Sequence, residues 1–161
     1  MQPVRNNGGF FVCLYMRKII LVSFFVCWLV SIAEAEPRYI SLAPSTTEIL
    51  FALGLDEEIV GVSTYCNYPE QVKNKIKVGD FSNPSIEKII SLKPDYIFCT
   101  GLEQARVIAQ LRELNFKVYV ADPASFAELF KSIKEIGEIT KKTAKALSLI
   151  GEMQARIDEV V

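Results

Sequence analysis

Histidine is missing from all 161 residues. That removes the commonest general base and the usual ligand for transition metals. Glycine is scarce, at 8 residues, and no nucleophile elbow, P-loop or dinucleotide glycine fingerprint occurs. Asp80, Glu103 and Asp122 are isolated carboxylates, more ordinary as solvated loop residues than as acids or bases. No catalytic residue and no metal ligand is assigned, and the chain does not read as an enzyme. An excess of positive charge is absent too: 18 Lys and Arg face 19 Asp and Glu. No basic face is advertised for nucleic acid. Internal repeats and low-complexity segments are also absent.

Only one long hydrophobic run is present. Arg17 and Lys18 precede an apolar stretch over residues 19–32, followed by Ala33-Glu34-Ala35, a small-x-small cleavage pattern. The run falls short of the roughly 20 apolar residues that a spanning helix needs. Residues 1–35 are therefore expected to be a secretory signal peptide cleaved after Ala35, with Met16 as an alternative start. Cys27 lies inside the run after Phe25-Val26, where lipid attachment would want small residues.

Removal of residues 1–35 takes away Arg5, Arg17, Lys18 and Glu34, leaving 15 basic and 18 acidic residues, a net charge near −3. The remaining 126 residues suffice for one domain with a core, not two. Of 4 cysteines, Cys13 and Cys27 leave with the signal. Cys66 and Cys99 lie near expected strand ends, either as a disulfide or as two small buried hydrophobes.

What is present is an alternation of strands and helices. Residues 39–43 form a short apolar run before Pro44, and Ser45-Thr46-Thr47-Glu48 has the spacing of a capping box. Ile49, Leu50 and Leu53 follow at helical spacing, with Gly54 placed to end the helix. Strands are expected over residues 59–64, 77–79, 95–100 and 117–121. Helices are expected over 85–92, stopped by Lys93-Pro94, and over 104–114. The order implies an α/β fold, a parallel-sheet three-layer lobe over residues 36–124 with crossover helices. From residue 125 the pattern becomes helical. Phe126, Leu129, Phe130, Ile133 and Ile136 share one face, and a long helix is expected over 141–161, with Ala146, Leu149, Met153, Ile157 and Val160 in a stripe. No cap marks the end of that helix, so continuation of the chain is expected.

Tyr65, Tyr68 and Phe81 fall in loops after strands. They fit equally as ligand contacts or as packing beneath the loops. Glu48 and Glu87 each fall in the first turn of a helix, where a carboxylate favours the dipole without further purpose.

The ordered set RYISLAPSTTEILFALGL, IVGVSTYCNYP and VGDFSNPSIEKIISLKPDYIF, with the long helix after FKVYVADPASFAELF, resembles the N-terminal lobe of periplasmic binding proteins of ABC importers. It is most similar to the cobalamin (vitamin B12) and iron-siderophore group, and the likeness covers residues 38–161. It implies that Ala43, Pro44 and Ser45 border the ligand cleft and that Tyr65 matches the aromatic lying against the corrinoid. Phe81 stands where cobalamin binders often carry tryptophan. Glu87 matches a glutamate that docks the lobe onto an arginine of the inner-membrane permease. The resemblance also implies two lobes joined by one backbone helix, of which residues 125–161 would contain the start, the second lobe being absent. It further implies a periplasmic protein with no cofactor, a small-molecule ligand such as a corrinoid or iron chelate, and a permease as partner. Ferric-siderophore or haem binding is the alternative, and a periplasmic α/β enzyme or sensor domain is the rival of another class. N-terminal sequencing of the exported protein is expected to begin at Glu36; retention of residues 17–35 would contradict the signal reading.

Overall fold

The computed structural model describes residues 35–159. The signal segment therefore lies outside the described residues, apart from its last residue. Four short strands form one parallel sheet: β1 (Tyr39–Ser41), β2 (Ile59–Val62), β3 (Tyr96–Cys99) and β4 (Val118–Val120), in the order β2-β1-β3-β4. β1 sits inside, with Ile40 beside Gly61 on one edge and beside Ile97 on the other. β3 continues outward by placing Ile97 beside Val118.

Parallel strands need crossovers, and helices supply them on both faces. After β1 comes α1 (Pro44–Ala52), and before β3 comes α2 (Ile86–Leu92). Between β3 and β4 lies α3 (Ala105–Glu113), and after β4 come α4 (Phe126–Ile139) and α5 (Thr143–Asp158). Alternation along the strands divides the core in two. Tyr39 and Phe98 point to one side, with Leu50 and Leu53 of α1, Ile133 and Ile136 of α4 and Ala146 of α5. Ile40, Ile97 and Cys99 point to the other, with Ile89 of α2 and Val107, Ile108 and Leu111 of α3. The expected three-layer α/β lobe is the observed one. Phe98 anchors the first side, its ring centroid 5.8 Å from that of Tyr39 and 6.0 Å from that of Tyr119. Truncating so buried a ring to alanine costs about 3–5 kcal/mol in comparable cores.

Several local expectations are corrected. The capping box does not form: α1 starts at Pro44 with Ala43 as its N-cap, and no side chain caps it. Proline at the first helical position presets φ and needs no N–H partner, so the helix begins before Ser45 can act as the cap. Residues 77–79 make only isolated bridges, Val62 with Lys77 and Gly79 with Pro84. Of the two readings open for Cys66 and Cys99, the buried hydrophobe is the one observed: both are free, buried thiols. They belong to the two core clusters on opposite sheet faces, which explains the missing disulfide. Burial pushes the Cys99 thiol up to about 12, slightly opposed by Arg112, so it stays protonated and unreactive at neutral pH.

The long C-terminal helix begins at Thr143, not Lys141. Lys141 has φ 59, which breaks the helical path after α4. Ala146 is buried in the stripe, while Leu149, Met153 and Ile157 are half-covered. Val160 lies outside the described residues. None of the described helices is long and apolar enough to cross a membrane.

Gly137 sits in the last turn of α4, three residues before its C-cap Thr140, where a Cβ would lie 2.5 Å from Cβ of Ala146. The missing side chain lets α5 approach α4. Gly137→Ala is expected to lower stability by about 1–3 kcal/mol through overpacking, despite its gain in helix propensity. Ala146→Gly in the same chain should recover part of that loss, as urea denaturation of the full-length protein would read. Peptide mapping after thiol alkylation should find Cys66 and Cys99 labelled only in denaturant, and labelling in the native state would contradict their burial.

Candidate functional site

The carboxyl ends of β1 and β2, and the bridged residues 77–79 beside β2, open into three loops, and each leaves backbone groups beyond the ladder that need partners. After β1, Leu42 and Ala43 are fully buried. Pro44 is half-buried and Ser45 exposed. The Ala43 carbonyl accepts from Thr47 Oγ1 at 2.9 Å and from Thr46 Oγ1 at 3.1 Å. Ser41 Oγ lies 2.7 Å from Thr46 Oγ1 and accepts from Thr47 Oγ1 at 2.8 Å. Each hydroxyl has one proton, so these contacts form one shared network. It extends to the next loop, since Cys66 Sγ lies 3.1 Å from Thr47 Oγ1 and 3.2 Å from Ser63 Oγ.

That second loop carries Tyr65 beside the anchored Cys66. Lys77 Nζ holds it from below by donating to the Cys66 carbonyl at 2.9 Å. Tyr65 and Tyr68 project, 61% and 65% exposed. The third loop, leading into α2, carries Phe81. Gly79 has φ +124, and a Cβ there would lie 2.9 Å from backbone atoms of Pro84 and Ser85. Only glycine lets the turn close this tightly. Asp80 then accepts from the Ser82 and Asn83 amides, an arrangement typical of an Asx turn. The Thr64 amide donates to the Gly79 carbonyl at 2.8 Å and ties the two aromatic loops.

Tyr65 and Phe81 meet edge to face, with centroids 6.4 Å apart and planes at 86°. Tyr68 is not in that pair. The polar side chain that joins the loops is Gln104, fully buried. Its Nε2 donates to the Phe81 carbonyl at 2.7 Å and to the Leu42 carbonyl at 3.2 Å, while its Oε1 accepts from the Thr100 amide at 2.9 Å. From the sequence Gln104 reads only as the start of a helix. A polar residue directly before the apolar stripe of α3 was the sole available signal.

Glu87 lies on α2 in the first turn and is exposed. Ser85 caps the same helix by accepting from the Lys88 amide, and its hydroxyl donates to Glu87 Oε2 at 3.0 Å. The free amide of Glu87 and this hydroxyl hold its carboxyl below the usual carboxylate range. Glu48 is exposed on α1. Further along the rim are two open grooves. One, of about 470 Å³, is lined by residues including Gly101, Ile108, Arg112 and Asp122. The other, of about 460 Å³, is lined by Pro123 to Phe126 and Leu129. Neither is lined by Tyr65 or Phe81. Among the described residues, no group of three or more acidic, cysteine or histidine side chains is placed to hold a metal ion.

A parallel sheet with aromatic loops gathered at its carboxyl ends is the ligand-facing plan of open α/β proteins. The chain belongs to the periplasmic binding protein family, whose model matches residues 40–161. It is 40% identical over 135 residues to the uncharacterized ABC transporter substrate-binding lipoprotein YvrC of Bacillus subtilis (strain 168), covering 81% of this chain and 43% of that protein. Among solved structures, the periplasmic vitamin B12 binding protein BtuF of Vibrio cholerae is similar, with a TM-score of 0.70, 32% identity and coverage of 76% and 48%. A possible iron-binding, periplasmic solute-binding protein of Staphylococcus epidermidis ATCC 12228 is also similar, with a TM-score of 0.70, 36% identity and coverage of 76% and 49%. The chain thus spans less than half the length of these relatives.

Lowered folded-state pKa means that the Glu87 carboxylate favours folding above its unfolded pKa. That contribution fades as the pH falls through the lower, folded value. Carboxyl-detected NMR is expected to place the Glu87 midpoint below the ordinary glutamate value, with Ser85→Ala moving it upward. An unmoved midpoint would contradict the role given to the hydroxyl.

Proposed function

We propose that this chain is the capturing lobe of a solute-binding protein that collects cobalamin or a related corrinoid and delivers it to an ABC importer permease. Residues 1–35 would export it to the periplasm, and the ligand would lie between this lobe and a second one. The relatives are substrate-binding transport proteins, and no bond is made or broken by such a component. In this reading Tyr65 and Phe81 offer apolar ring surface to a broad, flat ligand. Ala43, Pro44 and Ser45 border the same cleft, with free amides at the start of α1. Glu87 would meet an arginine of the permease.

The observation that carries the proposal is the Tyr65–Phe81 pair on two loops tied at their bases, beside the β1–α1 turn. Similarity to the vitamin B12 binding protein of Vibrio cholerae supports the corrinoid. The Staphylococcus epidermidis relative supports a second reading, a ferric siderophore or haem as cargo. Phenylalanine at position 81, in place of the indole common in cobalamin binders, is compatible with either.

Titrating the full-length protein with cyanocobalamin, a ferric hydroxamate siderophore and haemin separates these readings. Cyanocobalamin is expected to bind at least about tenfold more tightly than the others, a difference of about 1.4 kcal/mol. Preference for an iron chelate would transfer the assignment to the second reading. Glu87→Ala should leave affinity unchanged and reduce uptake severalfold in cells carrying the matching permease. Lost affinity with normal uptake would overturn the docking role.

A further inference from the structure

We infer that Gln104 is a positioning residue for ligand capture, fixing the attitude of the Phe81 ring from a buried site that does not touch ligand. The inference rests on the assignment of Phe81 to the ligand surface. A carboxamide offers two N–H donors and one carbonyl, and in this structure all three directions are used. The two protons serve carbonyls on different loops, Leu42 after β1 and Phe81 before α2, and the oxygen takes the first amide after β3. Among the described residues, the Phe81 carbonyl has no backbone partner. The Asp80 turn and the Gly79 bridge shape the base of the loop, so Gln104 is what couples its tip to the sheet.

The chemistry also restricts substitution. Glutamate keeps the shape and the acceptor toward Thr100, yet turns carboxylate oxygen toward two carbonyl oxygens. Methionine fills similar volume and leaves one buried and two partly buried backbone groups unpaired, which such interiors tolerate poorly. Asparagine is one methylene too short to span all three loops. A residue of this kind acts on recognition through geometry: an edge-to-face pair presents a shaped surface only while both loops hold their relative position.

The test uses full-length protein with cyanocobalamin and haemin as probes, well below the unfolding transition. Amide hydrogen exchange of residues 79–83 is followed alongside. Gln104→Met is expected to weaken the preferred ligand about tenfold or more and to speed exchange across 79–83. Gln104→Glu should do the same while keeping the Thr100 amide protected, and serves if Gln104→Met fails to fold. Thr140→Val, which removes a buried hydroxyl bond at the C-cap of α4, is the control for lost stability and should leave affinity unchanged. Unchanged affinity or unchanged loop exchange in the Gln104 variants would overturn the inference, as would an equal affinity loss in Thr140→Val. If the unsubstituted protein binds neither probe, the cargo assignment fails, and loop exchange alone decides whether Gln104 holds Phe81.

Discussion

Backbone groups that run past the end of a sheet into a dry interior must find partners, and the rim of this lobe is built around that constraint. At β1 the problem is acute because the strand is interior and its exit, Leu42-Ala43, is fully buried. Neither carbonyl continues the ladder. The Thr47 amide, in the first bond of α1, and hydroxyls from Thr46 and Thr47 satisfy Ala43, and Gln104 satisfies Leu42. Each neutral hydrogen bond contributes only about 0.5–1.5 kcal/mol net, but leaving such a group unpaired costs more. The solution brings residues from positions 41 to 104 together. Satisfying the backbone and assembling the loops are therefore one event.

Recognition follows from where those partners come from. Gln104 and Cys66 lie far apart in sequence, and each holds the base or tip of a loop that carries an exposed or half-exposed aromatic. The loops are also joined directly through Thr64 and Gly79. The Phe81 turn runs straight into α2, so three residues separate the Gln104-bound carbonyl from Ser85, which caps the helix bearing Glu87. The proposed ligand surface and docking residue thus sit at two ends of one short, tightly tied segment. A rigid segment of this sort suits a lobe that moves as a unit.

Local pattern made much of the fold readable from the residues. Helical spacing of Val107, Ile108 and Leu111 and the apolar runs ending at Cys99 and Ala121 are short-range signals, and the layered α/β lobe follows from their order. Tyr65 and Phe81 were recognisable as loop aromatics, but their pairing across 16 positions belongs to the folded chain alone. The capping box failed because Pro44 could start the helix first, a competition between two valid local signals. Gln104 was hidden for another reason: a glutamine before a helix looks like a solvated start, and its three partners come from distant loops.

The central claim, that the ligand lies across the loops after β1, after β2 and before α2, can be tested by mapping amide chemical shifts of the full-length protein during a cyanocobalamin titration. The account predicts the largest changes at residues 43–45, 64–66 and 79–83, with smaller ones propagating to Gln104. Changes confined to the groove lined by Gly101, Ile108 and Arg112, or spread evenly over α4 and α5, would contradict it.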